Sequence, residues 1–300
     1  MIIVSFNGGL GNQMLQFASY VALQERYPSI RVVADIRKYN ISRIHNGLEL
    51  EGPFPIRLNV LLGKKANKVS SIGRFWHFAL NKVVIMFFNI GLSKYCFVKD
   101  DGVFKEHLFH LNINKNYYLD GEWGNEKYFT NAKELIKEYF TFKKPLDTLN
   151  ERIADKIRSQ NSLSVHIRRG DYLSSGSSFV DLSKSDYYPD AFNYLTKAVI
   201  NPVFFIFSDD IEWCRINLKW LKEYEHYFVK GNDGMGSYKD LQLMSLCKHN
   251  VIANSTFSWW GGWLNSNPNR IVICPKKLFY DEKLNDKILA EFYPETWVKI

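Results

Sequence analysis

The sequence predicts an α/β fold built on parallel sheet, and three observations carry that prediction. Short apolar runs at 163–167, Val203–Phe207, Val251–Ala253 and Ile271–Cys274 alternate with helical segments in the second half. A doubly wound parallel sheet needs that alternation, because each crossover between parallel strands takes a helix. The N-terminus reads strand, glycine-rich loop, helix, strand, which is one β-loop-α-β unit. Charged and hydroxyl groups follow directly on three of the apolar runs, at the strand ends where open α/β sheets place ligands.

Ile2–Phe6 is the first strand, and Asn7-Gly-Gly-Leu-Gly-Asn-Gln13 is the loop behind it. Leu10, Met14, Phe17 and Val21 share one face at helical spacing, so a helix follows and Pro28 stops it. Arg31–Ala34 is the second strand. This order opens a nucleotide-binding-like half, but the loop does not fit G-x-G-x-x-G and gives no dinucleotide fingerprint. Residues 40–120 carry few turn signals and yield no detailed assignment. Their most apolar window, Val83–Ile90, falls far short of the roughly 20 residues of a membrane span and reads as a buried helix. Lys143-Lys-Pro145 is a junction, and Thr148–Ser159 is a helix with Leu149, Ile153 and Ile157 on one face.

At 300 residues the chain is comfortable for two domains, typical domains running to roughly 100–200 residues. Its hydrophobic share of 46% and charged share of 23% exclude a disordered or low-complexity chain. The net charge of +8 points to an anionic partner. Lys64, Lys65 and Lys68, and separately Lys143 and Lys144, cluster locally and read as solvated surface. No RNP1, C₂H₂ or OB-type pattern and no single basic stripe occurs, so nucleic acid is not the expected partner. Cys96, Cys214, Cys247 and Cys274 are far apart and form no C-x-x-C. Neither a zinc site nor a disulfide framework is indicated, and reduced thiols in a cytoplasmic protein are expected. No secretory signal is expected from the start Met1-Ile-Ile-Val-Ser-Phe-Asn7.

Ser164-Val-His-Ile-Arg-Arg-Gly-Asp-Tyr172 is the most informative stretch. It reads as a strand ending in Arg168 and Arg169, with Gly170 permitting a sharp turn. Paired guanidiniums match the bidentate oxygen geometry of a diphosphate. The plain alternative is two surface arginines paired with nearby acids. Asp209 and Asp210 end the next strand; with no D-x-D triplet in the chain, a helix cap is the better reading than an Mg²⁺ ligand. Asn254-Ser-Thr-Phe-Ser258 is a hydroxyl-rich turn at a helix start, which either offers N–H donors to an anion or simply caps the helix. Asp240, near another helix start, either accepts the N1–H and N2–H₂ donors of guanine or stabilises the helix end.

Asn7-Gly-Gly-Leu-Gly-Asn-Gln-Met-Leu-Gln-Phe17, His166-Ile-Arg-Arg-Gly-Asp-Tyr172, Phe207-Ser-Asp-Asp210, and Asp240-Leu-Gln-Leu-Met-Ser245 through Asn254-Ser-Thr-Phe-Ser-Trp-Trp260 occur in this order. Together they resemble the bacterial α-1,2-fucosyltransferases, the inverting, GDP-fucose-using glycosyltransferase family 11. The resemblance spans residues 1–23, 117–130 and 163–275. It implies a GT-B-like α/β fold, two Rossmann-like domains facing across a cleft, with an acceptor-side domain over 1–150 and a GDP-fucose-binding domain over 151–300. It implies transfer of L-fucose from GDP-β-L-fucose to the 2-hydroxyl of a terminal β-galactoside in a bacterial surface glycan. No metal and no cofactor beyond the donor substrate are implied.

By the same resemblance Arg168 grips the donor β-phosphate, with Arg169 beside it. His166 and Asp240 contact guanine, and Ser255, Thr256, Phe257 and Ser258 form the phosphate-binding turn. Asn7, Gly9, Gly11, Asn12 and Gln13, in the glycine-rich loop, line the cleft. Leu119-Asp-Gly-Glu-Trp-Gly-Asn-Glu-Lys-Tyr-Phe129 is similar to a family segment that carries an aromatic where this chain has Glu122. A different acceptor preference follows if that segment touches the acceptor. Asp171 is the first candidate for a general base and Glu122 the second, while a sufficiently dissociative transition state needs neither. A lipid-linked acceptor and loose contact of the basic surface with the anionic inner membrane face are expected. The alternatives are another nucleotide-sugar transferase of the same fold, or a nucleotide-binding protein without catalysis.

Overall fold

In the computed structural model, residues 1–41, 45–61, 95–173 and 178–300 are described, apart from the side chains of Ile41, Tyr95 and Asp171. Lys64, Lys65, Lys68 and the window Val83–Ile90 lie outside the described residues. The chain divides into two units, Met1–Thr141 and Phe142–Ile300.

The first unit is an α/β layer on a parallel sheet. Its strands β1 (Ile2–Ser5), β2 (Val32–Asp35), β3 (Tyr95–Lys99) and β4 (Asn116–Asp120) run in the order β2-β1-β4-β3. Helix α1 (Leu10–Arg26) follows β1 and gives way at Tyr27, one residue before Pro28. The sequence pattern predicts one buried stripe, but α1 is buried on nearly every side from Leu10 to Leu23, with Asn12 the exception. The reason is a second cover. The turn Glu126–Ala132 and helix α2 (Lys133–Tyr139) pack on the side the sheet does not reach, bringing Phe17 to 5.3 Å from Tyr139.

The second unit holds six parallel strands: β5 (Asn161–Ile167), β6 (Pro202–Ser208), β7 (His226–Phe228), β8 (His249–Val251), β9 (Val272–Cys274) and β10 (Val298–Lys299). Their order is β10-β9-β8-β5-β6-β7. Helices α3 (Thr148–Ser159), α4 (Tyr187–Ala198), α5 (Ile211–Asn217), α6 (Tyr238–Leu246), α7 (Thr256–Leu264) and α8 (Glu282–Phe292) connect and cover them. One face of β5 and β6, Leu163, Val165, Ile167, Phe204 and Ile206, packs with α4. On the other face Phe205 and Phe207 pack with Ala154, Ile157, Leu243 and Met244 of α3 and α6. The period of two therefore turns Ser162, Ser164 and His166 toward the α3–α6 side.

Two expectations shift. The third apolar run leaves the strand after Val251, because the Ala253 N–H turns to the Ser258 Oγ at 3.1 Å. On α3 the buried stripe is Asn150, Ala154 and Ile157. Leu149, expected on that face, is 56% exposed. Among the described residues, no helix is long and apolar enough to cross a membrane.

Candidate active site

The parallel register of β5 and β6 pairs Ile167 with Ser208, which carries Arg168 to Asp209 at the carboxyl edge of the sheet. The Arg168 guanidinium meets Asp209 Oδ2 at 2.8 Å, and both side chains remain about a quarter open to solvent, at 27% and 24%. Arg168 also lies 5.7 Å from the ring centre of Tyr172, whose hydroxyl donates to the Asn254 carbonyl at 2.8 Å. The other carboxylate oxygen of Asp209 accepts from the Arg169 backbone N–H at 2.9 Å. One acid thus holds both the arginine and the turn behind it.

The second arginine does different work. Arg169 is buried, donating to Asp210 Oδ2 at 3.1 Å and to Ser183 Oγ at 2.6 Å, with its guanidinium 3.7 Å from the Trp213 ring centre. Arg169, expected to clamp beside Arg168, turns instead into the fold, where its guanidinium holds Asp210, Ser183 and the face of Trp213. Asp210 caps α5, accepting from the Trp213 N–H, as the capping reading expects. Asp171 begins a short 3₁₀ turn, Asp171–Leu173, and its side chain lies outside the described residues.

His166 is buried and its ring lies 5.9 Å from that of Phe257. Desolvation, with the charge of Arg168 second, pushes its pKa down to about 3, so the imidazole is neutral. Its Nδ1 has no hydrogen-bond partner among the described residues. Ser255 caps α7, accepting from the Phe257 N–H at 3.3 Å, and Ser255, Thr256 and Phe257 keep intermediate exposure. Ser258 differs. It is 1% exposed and its hydroxyl is used to accept from Ala253 and to donate to the Ser255 carbonyl, so it shapes the turn from inside.

Asp240 lies in the first turn of α6. Its Oδ1 accepts from Asn232 Nδ2 at 2.7 Å. Burial, with the neighbouring Asp233 charge, raises its carboxyl to about 6, against the hydrogen bond from Asn232.

In the first unit, Gln13 is fully buried and fully bonded. Its amide donates to the Gly8 and Gly47 carbonyls, and its carbonyl accepts from the Glu49 and Leu50 N–H groups. The ligand role expected for Gln13 is corrected to that of a pin between the glycine loop and residues 47–50. Gly9 is the α1 N-cap and Gly11 is buried in its first turn; the Asn7 N–H donates to Gln16 Oε1 at 3.0 Å. Asn12, the open position of α1, donates to Glu122 Oε1 at 2.9 Å.

Glu122 is exposed, yet surrounding protein, and then the Asp100 carboxylate, raise its pKa above the ordinary range. Its presentation is built. A Cβ on Gly121 would fall 2.0 Å from Asp100 Cβ, and Asp100 Oδ2 accepts from the Trp123 N–H at 2.7 Å. Trp123 itself is buried at φ +57°, a left-handed conformation that is costly for a bulky side chain.

The family model "Glycosyl transferase family 11" matches residues 1–300. The chain belongs to glycosyl transferase family 11. This family 11 glycosyltransferase is 35% identical to an alpha-1,2-colitosyltransferase of Escherichia coli, over 100% of this chain and 99% of that one. It is 31% identical to the O-antigen biosynthesis glycosyltransferase WbnK of Escherichia coli, over 98% of each chain. The crystal structure of NodZ alpha-1,6-fucosyltransferase soaked with GDP-fucose superposes with a TM-score of 0.50 at 14% identity, covering 89% of this chain and 96% of that one. That likeness is one of fold, the GT-B-like α/β fold with parallel sheets that the family resemblance implies.

Several residues of this glycosyltransferase escape a sequence reading. Asp209 looks like half of an acidic pair, and only the β5–β6 register shows that it faces Arg168. Asn232 and Asn150 give no linear signal, being far apart in sequence and brought into hydrogen bonding only by the fold. Trp123 carries no mark of its left-handed backbone beyond the glycines at 121 and 124.

Proposed function

We propose that this glycosyltransferase moves L-fucose from GDP-β-L-fucose to the 2-hydroxyl of a terminal β-galactoside in a bacterial surface glycan, with inversion and without a metal ion. The observation that carries the reading is the partly open Arg168 guanidinium at the carboxyl edge of the second sheet, with the Ser255–Phe257 turn in the same unit. As the bond from fucose C1 to the β-phosphate oxygen breaks, negative charge builds on GDP. A fixed cation and helix-start N–H groups stabilise that charge, and such preorganised stabilisation is commonly the largest catalytic term. Arg169 serves the fold beneath that edge, its guanidinium bonded to Asp210 and Ser183 and stacked on Trp213. Asp240, and the neutral imidazole of His166, are assigned to guanine.

The acceptor falls to the first unit, where Asn12 and Glu122 supply an amide and a carboxylate suited to sugar hydroxyls. The acceptor oxygen forms the new bond to C1 and its proton leaves to a base or to water. Asp171 and Glu122 are the two carboxylates assigned to compete for that proton. The net charge of +8 supports loose contact with an anionic inner membrane face and a lipid-linked acceptor; co-sedimentation with anionic but not neutral vesicles tests it.

A second reading has its own support. A full-length relative at 35% identity is named a colitosyltransferase, and colitose is fucose without its 3-hydroxyl. Incubation with GDP-fucose, GDP-colitose or a UDP-sugar and defined β-galactosides separates the readings. Release of GDP with an α-1,2-fucosylated product supports fucose transfer. Product from GDP-colitose alone moves the donor assignment, use of the UDP-sugar moves the nucleotide, and binding without product removes catalysis.

A further inference from the structure

Asp240 is held by a buried relay. Asn232 and Asn150, 5% and 1% exposed, bond reciprocally: Asn232 Nδ2 donates to Asn150 Oδ1 at 2.8 Å, and Asn150 Nδ2 donates to Asn232 Oδ1 at 2.9 Å. The second N–H of Asn150 goes to Asp147, at 3.0 Å from Oδ1 and 3.1 Å from Oδ2. Asp147 is fixed in turn by Lys239 at 2.7 Å and by capping the Asn150 N–H at 3.0 Å.

These bonds leave one orientation for each amide. Asp147, ionised beside Lys239, can only accept, so Asn150 must point its nitrogen there and toward Asn232 Oδ1. Asn232 then has its oxygen occupied and can meet Asp240 only with an N–H, as it does at 2.7 Å. A flip of either amide would place oxygen against oxygen in a buried site, which costs the desolvation of both groups. Asp240 Oδ1 is therefore always an acceptor. The proton of the acid form can sit only on Oδ2, the oxygen turned away from the relay. An ionised Asp240 offers acceptors alone, which suit guanine, where both N1–H and N2–H₂ donate, and oppose adenine, whose N1 accepts.

We infer that Asn232, locked by Asn150, is the positioning residue that keeps Asp240 an acceptor toward the nucleobase and so sets the preference for guanine. The inference rests on the assignment of Asp240 to guanine in the proposed function. The charge acting on Asp240 is that of Asp233, in the turn before α6, while the Lys239–Asp147 pair closes the far end of the relay. Asp233 opposes ionisation; among the described residues the Asn232 hydrogen bond is the contact of the carboxylate that favours it.

The test is a pair of variants in the full chain, measured by calorimetric binding of GDP and IDP, which lacks the 2-amino donor. Replacing both asparagines together, Asn150→Leu with Asn232→Leu, removes the relay without leaving a buried amide unpaired and takes from Asp240 Oδ1 its donor. Asp240→Asn is the control. Wild type is expected to prefer GDP over IDP by about tenfold or more. In the double variant that preference falls severalfold, and the pH below which GDP binding weakens moves upward. The phosphate's own titration cancels in the ratio of variant to wild type at each pH. A folded double variant with the wild-type GDP-to-IDP ratio and pH midpoint overturns the inference while leaving Asp240 in place. An Asp240→Asn variant with an unchanged ratio overturns the guanine assignment itself. If the double variant does not fold, Asn232→Ala, which removes the donor to Asp240 with a single change, takes its place under the same two readouts.

Discussion

Arg168 and Arg169 are neighbours in the chain and differ by one residue's alternation, so replacing each with alanine should produce opposite phenotypes. Arg168 pairs with Asp209 at 2.8 Å, and both side chains are about a quarter exposed, at 27% and 24%. Partly solvated pairs contribute about 0–1 kcal/mol to folding, so Arg168→Ala should shift Tm by no more than about 4 °C. The same change leaves the Asp209 carboxylate facing the site that a diphosphate would occupy. Losing one preorganised donor costs about 10²–10³ in kcat, and the uncovered carboxylate adds repulsion.

Arg169→Ala reverses the pattern. The side chain is 10% exposed and holds Asp210, Ser183 and the face of Trp213. Breaking a buried ion pair costs about 3–5 kcal/mol. The Asp210 side chain keeps 38% of its surface in water, which places the cost near the low end, about 3 kcal/mol. That corresponds to a fall in Tm of about 6–12 °C for a unit of this size, with GDP affinity retained in the cold. Thermal melting, calorimetric GDP binding and initial rates of transfer make the comparison. An Arg168→Ala protein that transfers at the wild-type rate, or an Arg169→Ala protein that melts normally but no longer binds GDP, would refute the division of roles.

Donor binding should depend on pH through Asp240, raised to about 6. A raised carboxyl is protonated below that value, and only the ionised form accepts both guanine donors. GDP-fucose affinity should then fall about tenfold from about pH 7 to about pH 5; its diphosphate diester does not titrate there, and Asp240→Asn should abolish the dependence. Gly170→Ala would put a Cβ 2.6 Å from Asp209 Oδ2, and should weaken donor binding with little loss of Tm, read by the same calorimetry. Transfer should proceed fully in EDTA, and a strict requirement for a divalent ion would contradict the cationic-clamp reading. Glu122→Gln should raise KM for the acceptor several-fold while leaving GDP affinity unchanged; an altered GDP affinity with a normal acceptor KM would remove Glu122 from the acceptor.

The parallel sheets were legible because buried strands write themselves as apolar runs: Leu163 to Ile167 and Val203 to Phe207 are strands within a residue or two. The segment 40–120 was not, since its described strands β3 and β4, Tyr-Cys-Phe-Val-Lys and Asn-Tyr-Tyr-Leu-Asp, are five residues each, too short for the pattern alone to tell a strand from a helix segment. Register is the deeper obstacle. Arg168 announces itself, but its partner Asp209 follows another strand, and which residue past the end of β6 lies beside it is fixed only when the sheet forms.

A polar residue beside a glycine turn can serve the fold or a ligand, and its identity does not say which. The difference is how much of its hydrogen-bonding capacity the fold has already used. Gln13 makes four bonds, all that its amide can make, and Ser258 both accepts and donates inside its turn. Both looked like ligand residues and both are structural. Asp240 and Glu122 each have one carboxylate oxygen held by an asparagine. Anchoring one oxygen fixes the direction of the other. The first-unit carboxylate is also presented from the strained backbone of Trp123, a cost of about 1–3 kcal/mol that a fold retains only where the surrounding structure enforces it. Relieving that strain separates a structural cause from a functional one. Trp123→Gly removes the backbone penalty along with the indole, so Trp123→Asn, which tolerates the left-handed region, is the sharper comparison. If the conformation exists to aim Glu122, the asparagine variant should keep its acceptor KM while losing stability from the vacated core. A risen acceptor KM with stability preserved would assign the indole, not the backbone, to the acceptor.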